Sequence, residues 1–119
     1  MELPVRHGEG KFYADKTVID QLIYNDQVVV RYAMPDGRPA KSQFPFNPNG
    51  SINDIAGICD PSGRIFGLMP HPEAFHNWTN HPEWTRQKEV VKRQGGGVEP
   101  GPTIGLRLFQ NAVEFISGY

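Results

Sequence analysis

The residues best suited to chemistry in this chain are a histidine and a glutamate two positions apart, at the end of an apolar run. The run reads Arg64-Ile65-Phe66-Gly67-Leu68-Met69-Pro70-His71-Pro72-Glu73. In extended backbone, residues i and i+2 point the same way, so His71 and Glu73 are expected to face one space at a strand's end. A carboxylate beside an imidazole fixes its tautomer and stabilises the imidazolium, which is what the general base of a nucleophile requires. Pro72 keeps His71 out of the helical region. Neither proline can donate to a sheet ladder, so the segment belongs where a strand leaves its sheet. In α/β folds such places bind ligands. On these residues alone catalysis and ligand binding are both open, as is a rigid loop carrying a solvent-exposed histidine.

A nucleophile is not evident. Cys59, the single cysteine, lies in Gly57-Ile58-Cys59-Asp60-Pro61, which lacks the second glycine of a G-x-C-x-G elbow and leads into a turn. It reads as a small residue on a hairpin strand. The tripeptide recurs as His81-Pro82-Glu83, but after Asn80 rather than after an apolar strand, and reads as structural. Spacings of five residues between His71, His76 and His81 do not place ligands on one helix face. No CxxC or HExxH accompanies them, so a metal site is not expected. His7-Gly8-Glu9-Gly10-Lys11-Phe12 has two glycines without the strand–GxxxxGK(S/T)–helix pattern of a phosphate loop and reads as a tight turn. His7 and Glu9, at the end of a predicted strand, are candidates for the site's neighbourhood.

The elements that must position these groups alternate in type. Leu3 to His7 reads as a short strand, and Ala14 to Tyr24 as a helix with Asp15 as N-cap. Gln27 to Ala33 is β-branched and reads as a strand, followed by the turn Pro35-Asp36-Gly37. Lys41 to Ser51 is irregular. Two apolar runs, Ile52 to Cys59 and Arg64 to Met69, flank Asp60-Pro61-Ser62-Gly63 and predict an antiparallel hairpin whose second strand delivers His71. An aromatic loop or short helical region with Trp78 and Trp84 follows. The glycine- and proline-rich stretch from Arg93 to Thr103 reads as the most mobile segment. Gly105 to Ile116 closes the chain as an amphipathic helix with Leu106, Phe109, Val113 and Ile116 on its apolar stripe. This order predicts an α/β layer structure, part parallel and part antiparallel.

Composition narrows the classes. With 119 residues the chain is expected to form a single domain. A net charge of −1 gives no footprint for nucleic acid or an anionic membrane surface. No apolar run is long enough to span a bilayer, and no signal-like segment opens the chain. One cysteine fits a reducing, cytoplasmic setting. Thirteen glycines and eleven prolines point to turns and long ordered loops rather than a helical bundle.

Three segments carry a resemblance. Leu3-Pro4-Val5-Arg6-His7-Gly8-Glu9-Gly10-Lys11-Phe12, Asn47-Pro48-Asn49-Gly50-Ser51 and the run from Gly63 to Glu73 occur in that order, before a final helix containing Asn111-Ala112-Val113. Over nearly its whole length the chain resembles the C-terminal half of the class I glutamine amidotransferases of phosphoribosylformylglycinamidine synthases, enzymes of purine biosynthesis. Ala74 departs from the arginine that commonly follows the glutamate there.

The resemblance implies a partial flavodoxin-like layered fold, a mixed sheet with flanking helices, in which residues 1–119 are the C-terminal half of the domain. It implies a Cys-His-Glu triad in which His71 is base and acid, Glu73 orients it, and the nucleophilic cysteine lies on an elbow in the N-terminal half. Glutamine is the implied substrate and a synthetase subunit of the same enzyme the implied partner. No cofactor is expected in this chain; ATP and magnesium are expected on the synthetase. Half a domain would expose apolar faces, so pairing with the N-terminal half or self-association is expected, and glutaminase activity is not expected of the chain alone. A reading of another class is a non-catalytic interaction module, descended from such a domain, that binds a synthetase or partner subunit.

Overall fold

The computed structural model describes residues 1–6, 8, 10–97 and 101–118. His7 and Glu9, and residues 98–100 of the glycine- and proline-rich stretch, lie outside the described residues. The order of elements is α1 (Lys16–Tyr24), β1 (Val28–Arg31), β2 (Ile55–Cys59), β3 (Phe66–Leu68), α2 (Trp84–Arg93) and α3 (Ile104–Ser117). Short 3₁₀ turns occupy Ile52–Asp54, Pro72–Ala74 and Trp78–Asn80. The chain is therefore α/β. It divides into two compact units, Val5–Pro70 and Met1–Pro4 together with His71–Tyr119.

The first unit is built on a three-stranded sheet in the order β1-β2-β3, antiparallel at both pairings. The predicted hairpin forms: Gly57, Ile58 and Cys59 pair with Leu68, Gly67 and Phe66. Its turn is organised by Asp60, whose carboxylate accepts from the Ser62 hydroxyl at 2.7 Å and from the N–H groups of Arg64 and Ile65 at 3.0 and 2.9 Å. These bonds favour the ionised form, the Ser62 hydroxyl most, and hold the carboxyl at about 2. Gly57 is required at the centre of the sheet, because a Cβ there would lie 2.8 Å from Val30 Cγ2 and 2.9 Å from Phe66 Cε2. At the Pro35-Asp36-Gly37 turn the Met34 N–H donates to the Arg38 carbonyl at 2.8 Å, and Gly37 takes φ +87°.

The core of this unit is small. Ile55 and Ala40 are fully buried, and Ala56 and Tyr32 nearly so, with Val30 and Phe46 packed against the last three. Removing one such Ile side chain from water contributes about 2 kcal/mol. From α1 only Ile19 is buried. Asp15 flanks that helix at the predicted cap position, although its side chain makes no capping bond.

The irregular stretch from Lys41 to Ser51 has a polar anchor instead. The buried Asp54 carboxylate accepts from the Lys41 N–H at 2.7 Å, the Ser42 N–H at 2.8 Å and the Asn47 amide at 2.9 Å. Asn47 also exchanges two bonds with the Ser51 backbone, each at 2.9 Å. Burial alone would push the Asp54 carboxyl up. The bonds from Ser42, Asn47 and Lys41, with the charge of Arg31, outweigh it and hold the group below its ordinary value. Lys41, Ser42, Asn53 and Asp54 all have φ between 52° and 59°, which non-glycine residues adopt only when their surroundings enforce it.

In the second unit α3 starts at Thr103, whose hydroxyl accepts from the Leu106 N–H at 3.3 Å. Its apolar stripe is largely uncovered: Phe109, Val113 and Ile116 are exposed, as is Phe115. Trp78 and Trp84 pack edge to face at 5.5 Å where α2 begins. The expected strand from Leu3 to His7 is not found over its described residues 3–6. Pro4 has no N–H to give a ladder, and its carbonyl accepts from the His71 N–H at 2.8 Å. No helix among the described residues is long and apolar enough to cross a membrane.

Candidate active site

The predicted pair meets. His71 Nδ1 lies 2.7 Å from Glu73 Oε1. A carboxylate can only accept, so Nδ1 carries the proton and Nε2 becomes the nitrogen that can take or give one. The local geometry that achieves this differs from the extended strand expected. β3 ends at Leu68; the Met69 N–H still reaches the Ala56 carbonyl at 2.9 Å, and then Pro70, which has no N–H, ends the ladder. His71 stands outside the sheet with φ −109° and ψ 83°, and Glu73 sits within the Pro72–Ala74 turn. A tight turn, and not the pleat of a strand, brings the two side chains together.

The turn is secured on several sides. The Ala74 N–H donates to the His71 carbonyl at 3.1 Å, and the Phe75 N–H to that of Pro72 at 3.0 Å. His76 Nδ1 lies 3.2 Å from the Glu73 carbonyl oxygen. The Thr103 hydroxyl donates to the Phe75 carbonyl. Buried Gly105 abuts the same turn closely: a Cβ on it would lie 2.5 Å from the Phe75 carbonyl oxygen and closer still to that of Pro72. The pair itself is open to solvent, His71 at 37% and Glu73 at 60% side-chain exposure.

The second His-Pro-Glu copy has a different environment. The His81 side chain is mostly buried, with Nε2 3.1 Å from Glu2 Oε2. Its Nδ1 accepts from the Glu83 N–H at 3.1 Å and lies 3.2 Å from Gln87 Nε2. Both nitrogens are engaged and the ring stacks obliquely on Phe75, so His81 ties the N-terminal residues to the start of α2. Among the described residues no group of three or more His, Cys, Asp or Glu is arranged to hold a metal ion. Cys59 occupies a ladder position of β2 opposite Phe66, with its N–H on the Gln27 carbonyl at 2.9 Å.

Two residues that touch the turn, Thr103 and Gly105, were not singled out from the sequence. Thr103 carried a readable signal, a hydroxyl residue immediately before an apolar helical run. Gly105 carried none, since a glycine inside a helix reads only as a weak point.

Residues 1–116 match the family model of the CobB/CobQ-like glutamine amidotransferase domain. Among similar curated proteins is a phosphoribosylformylglycinamidine synthase subunit PurQ of Methanococcus maripaludis, 45% identical over 115 residues, which are 97% of this chain and 42% of that protein. A protein of the same name from Dehalococcoides mccartyi is 45% identical over 95% of this chain and 38% of its own length. One from Trichormus variabilis is 49% identical over 94% of this chain and 36% of its own length. The chain thus spans about two-fifths of the length of the curated relatives it matches.

Proposed function

The chain belongs to the CobB/CobQ-like glutamine amidotransferase domain family, and from that premise we propose that it is the His-Glu-bearing part of a glutamine-hydrolysing component of phosphoribosylformylglycinamidine synthase. The observation that carries this reading is the 2.7 Å contact between His71 Nδ1 and Glu73 Oε1. In the proposed reaction His71 Nε2 takes the thiol proton of a cysteine supplied from outside this chain, and the resulting thiolate attacks the side-chain amide carbon of glutamine. His71 delivers a proton from Nε2 to the departing nitrogen, so ammonia leaves and a thioester remains. Water, deprotonated by the same nitrogen, then releases glutamate. Glu73 keeps the proton on Nδ1 and offsets the positive charge that develops on the ring.

In this reading residues 1–119 are the C-terminal half of one flavodoxin-like layered domain, and the sheet becomes mixed when the N-terminal half adds its strands. The uncovered face of α3, with Phe109, Val113 and Ile116 exposed, supports completion by such a half. Ammonia passes to a synthetase subunit, which supplies ATP and magnesium, and the assembly works in the cytoplasm.

The test is a glutaminase assay of this chain, alone and with the N-terminal remainder of the Methanococcus relative supplied in trans. Activity is expected only in the mixture, abolished by His71→Ala and unchanged by Cys59→Ala. A mixture that binds and folds yet hydrolyses no glutamine would point instead to an interaction module. Activity of the chain alone that vanishes in Cys59→Ala would overturn the assignment of the nucleophile.

A further inference from the structure

We propose that Thr103 and Gly105, at the start of α3, are positioning residues that clamp the Pro72–Phe75 turn and thereby hold Glu73 on His71. The proposal rests on reading His71 and Glu73 as the working pair. The Thr103 hydroxyl faces two ways: it accepts from the Leu106 N–H, capping α3, and donates to the Phe75 carbonyl, the last residue of the turn. Both residues are buried, Thr103 at 8% exposure. Gly105 lets the helix backbone approach the carbonyl oxygens of Pro72 and Phe75 more closely than any side chain permits. His71 itself is anchored by its N–H on the Pro4 carbonyl and by its carbonyl on the Ala74 N–H. Glu73 sits between these anchor points, so its carboxylate reaches Nδ1 only while the turn keeps its distance from α3.

A helix cap and a helix glycine have simpler explanations, and these predict opposite results. If Thr103 only caps α3, aspartate serves as well, because Asp is at least as good an N-cap acceptor. If Gly105 is only a helix residue, alanine stabilises the helix. A clamp fails in both cases. An aspartate carboxylate cannot donate to the Phe75 carbonyl and repels it. A Cβ at 2.5 Å from a backbone oxygen must drive turn and helix apart by about half an ångström or more before contact is tolerable. A misplacement of about 1 Å costs up to about 100-fold in rate at a reacting centre.

The experiment is nitrogen-15 NMR of the His71 imidazole in the full chain, which reads the tautomer without requiring activity. The parent and Thr103→Ser are expected to hold the proton on Nδ1. Gly105→Ala and Thr103→Asp are expected to move to the Nε2–H form expected of Glu73→Ala, which removes the acceptor, with helix content by circular dichroism unchanged. In the enzyme reconstituted in trans, the same two variants are expected to lose about 100-fold in kcat, with KM changed less than about threefold. Retention of the Nδ1 proton in Gly105→Ala and Thr103→Asp, or its absence in the parent, would overturn the clamp. Loss of the tautomer in those variants, in a protein that never hydrolyses glutamine, would sustain the clamp and sink the glutaminase reading instead.

Discussion

Replacing Glu73 by Gln should separate activity from stability sharply. Only with the imidazole protonated is this an ion pair, and at 2.7 Å two opposite unit charges then attract by about 1.5 kcal/mol in bulk water. The pair is exposed, His71 at 37% and Glu73 at 60%. Solvent screening and side-chain entropy therefore leave about 0.2–1 kcal/mol as its net contribution to folding. For a chain of this size that corresponds to a fall in Tm of roughly 5 °C at most. The amide oxygen of Gln can still accept from Nδ1, so the ring keeps an acceptor while losing the negative charge that stabilises its protonated form. That loss acts on the transition state, and removing the carboxylate from comparable arrangements costs about two to four orders of magnitude in kcat. The assay is glutamine hydrolysis by the chain reconstituted with the N-terminal remainder of a relative, beside a thermal melt of the chain itself. A kcat within about threefold of the parent would refute the role given to Glu73. A fall in Tm well beyond 10 °C would show that the pair is part of the fold's support and not a poised functional group.

Two further predictions concern the unit that carries the sheet. Asp54→Ala strands the N–H groups of Lys41 and Ser42 and the Asn47 amide while four left-handed residues still need support, so we expect a loss of about 3 kcal/mol in urea unfolding. Hydrogen exchange should locate the damage at residues 41–51, and uniform protection there would contradict the anchor. The Asp60 carboxyl, held at about 2 against roughly 3.9 in the unfolded chain, contributes stability that is complete above about pH 5 and declines as the pH falls through about 2. The stability gap between the parent and Asp60→Asn should therefore close across that interval, and a gap independent of pH would refute the assignment.

Much of this molecule is written in local patterns. The hairpin is legible because two apolar runs flank Asp60-Pro61-Ser62-Gly63, and the turn's bonds are all made by residues within five positions of Asp60. The helices α1 and α3 are legible from their 3.6-residue periodicity, and α1 also from Asp15 at its start. His71 and Glu73 stand out because two prolines constrain their backbone whatever surrounds it. Family membership too is a property of the residue order from 1 to 116.

Other features arise only when distant segments meet. Extended backbone would set His71 and Glu73 side by side on a strand's pleat; they meet instead across a turn that forms because Pro70 cannot continue the ladder. The buried polar anchor at Asp54 gathers Lys41, Ser42 and Asn47 from a stretch whose composition shows only irregularity. The Leu3 segment has the composition of a strand because propensity is local, whereas a ladder needs successive paired groups, and the bond from the His71 N–H to the Pro4 carbonyl builds none. Gly105 acquires its significance from two carbonyl oxygens about thirty positions earlier in the chain. Local propensities name the elements and the reactive side chains. The distances that let those side chains act depend on backbone carbonyls and N–H groups far apart in sequence, which only the folded chain brings together.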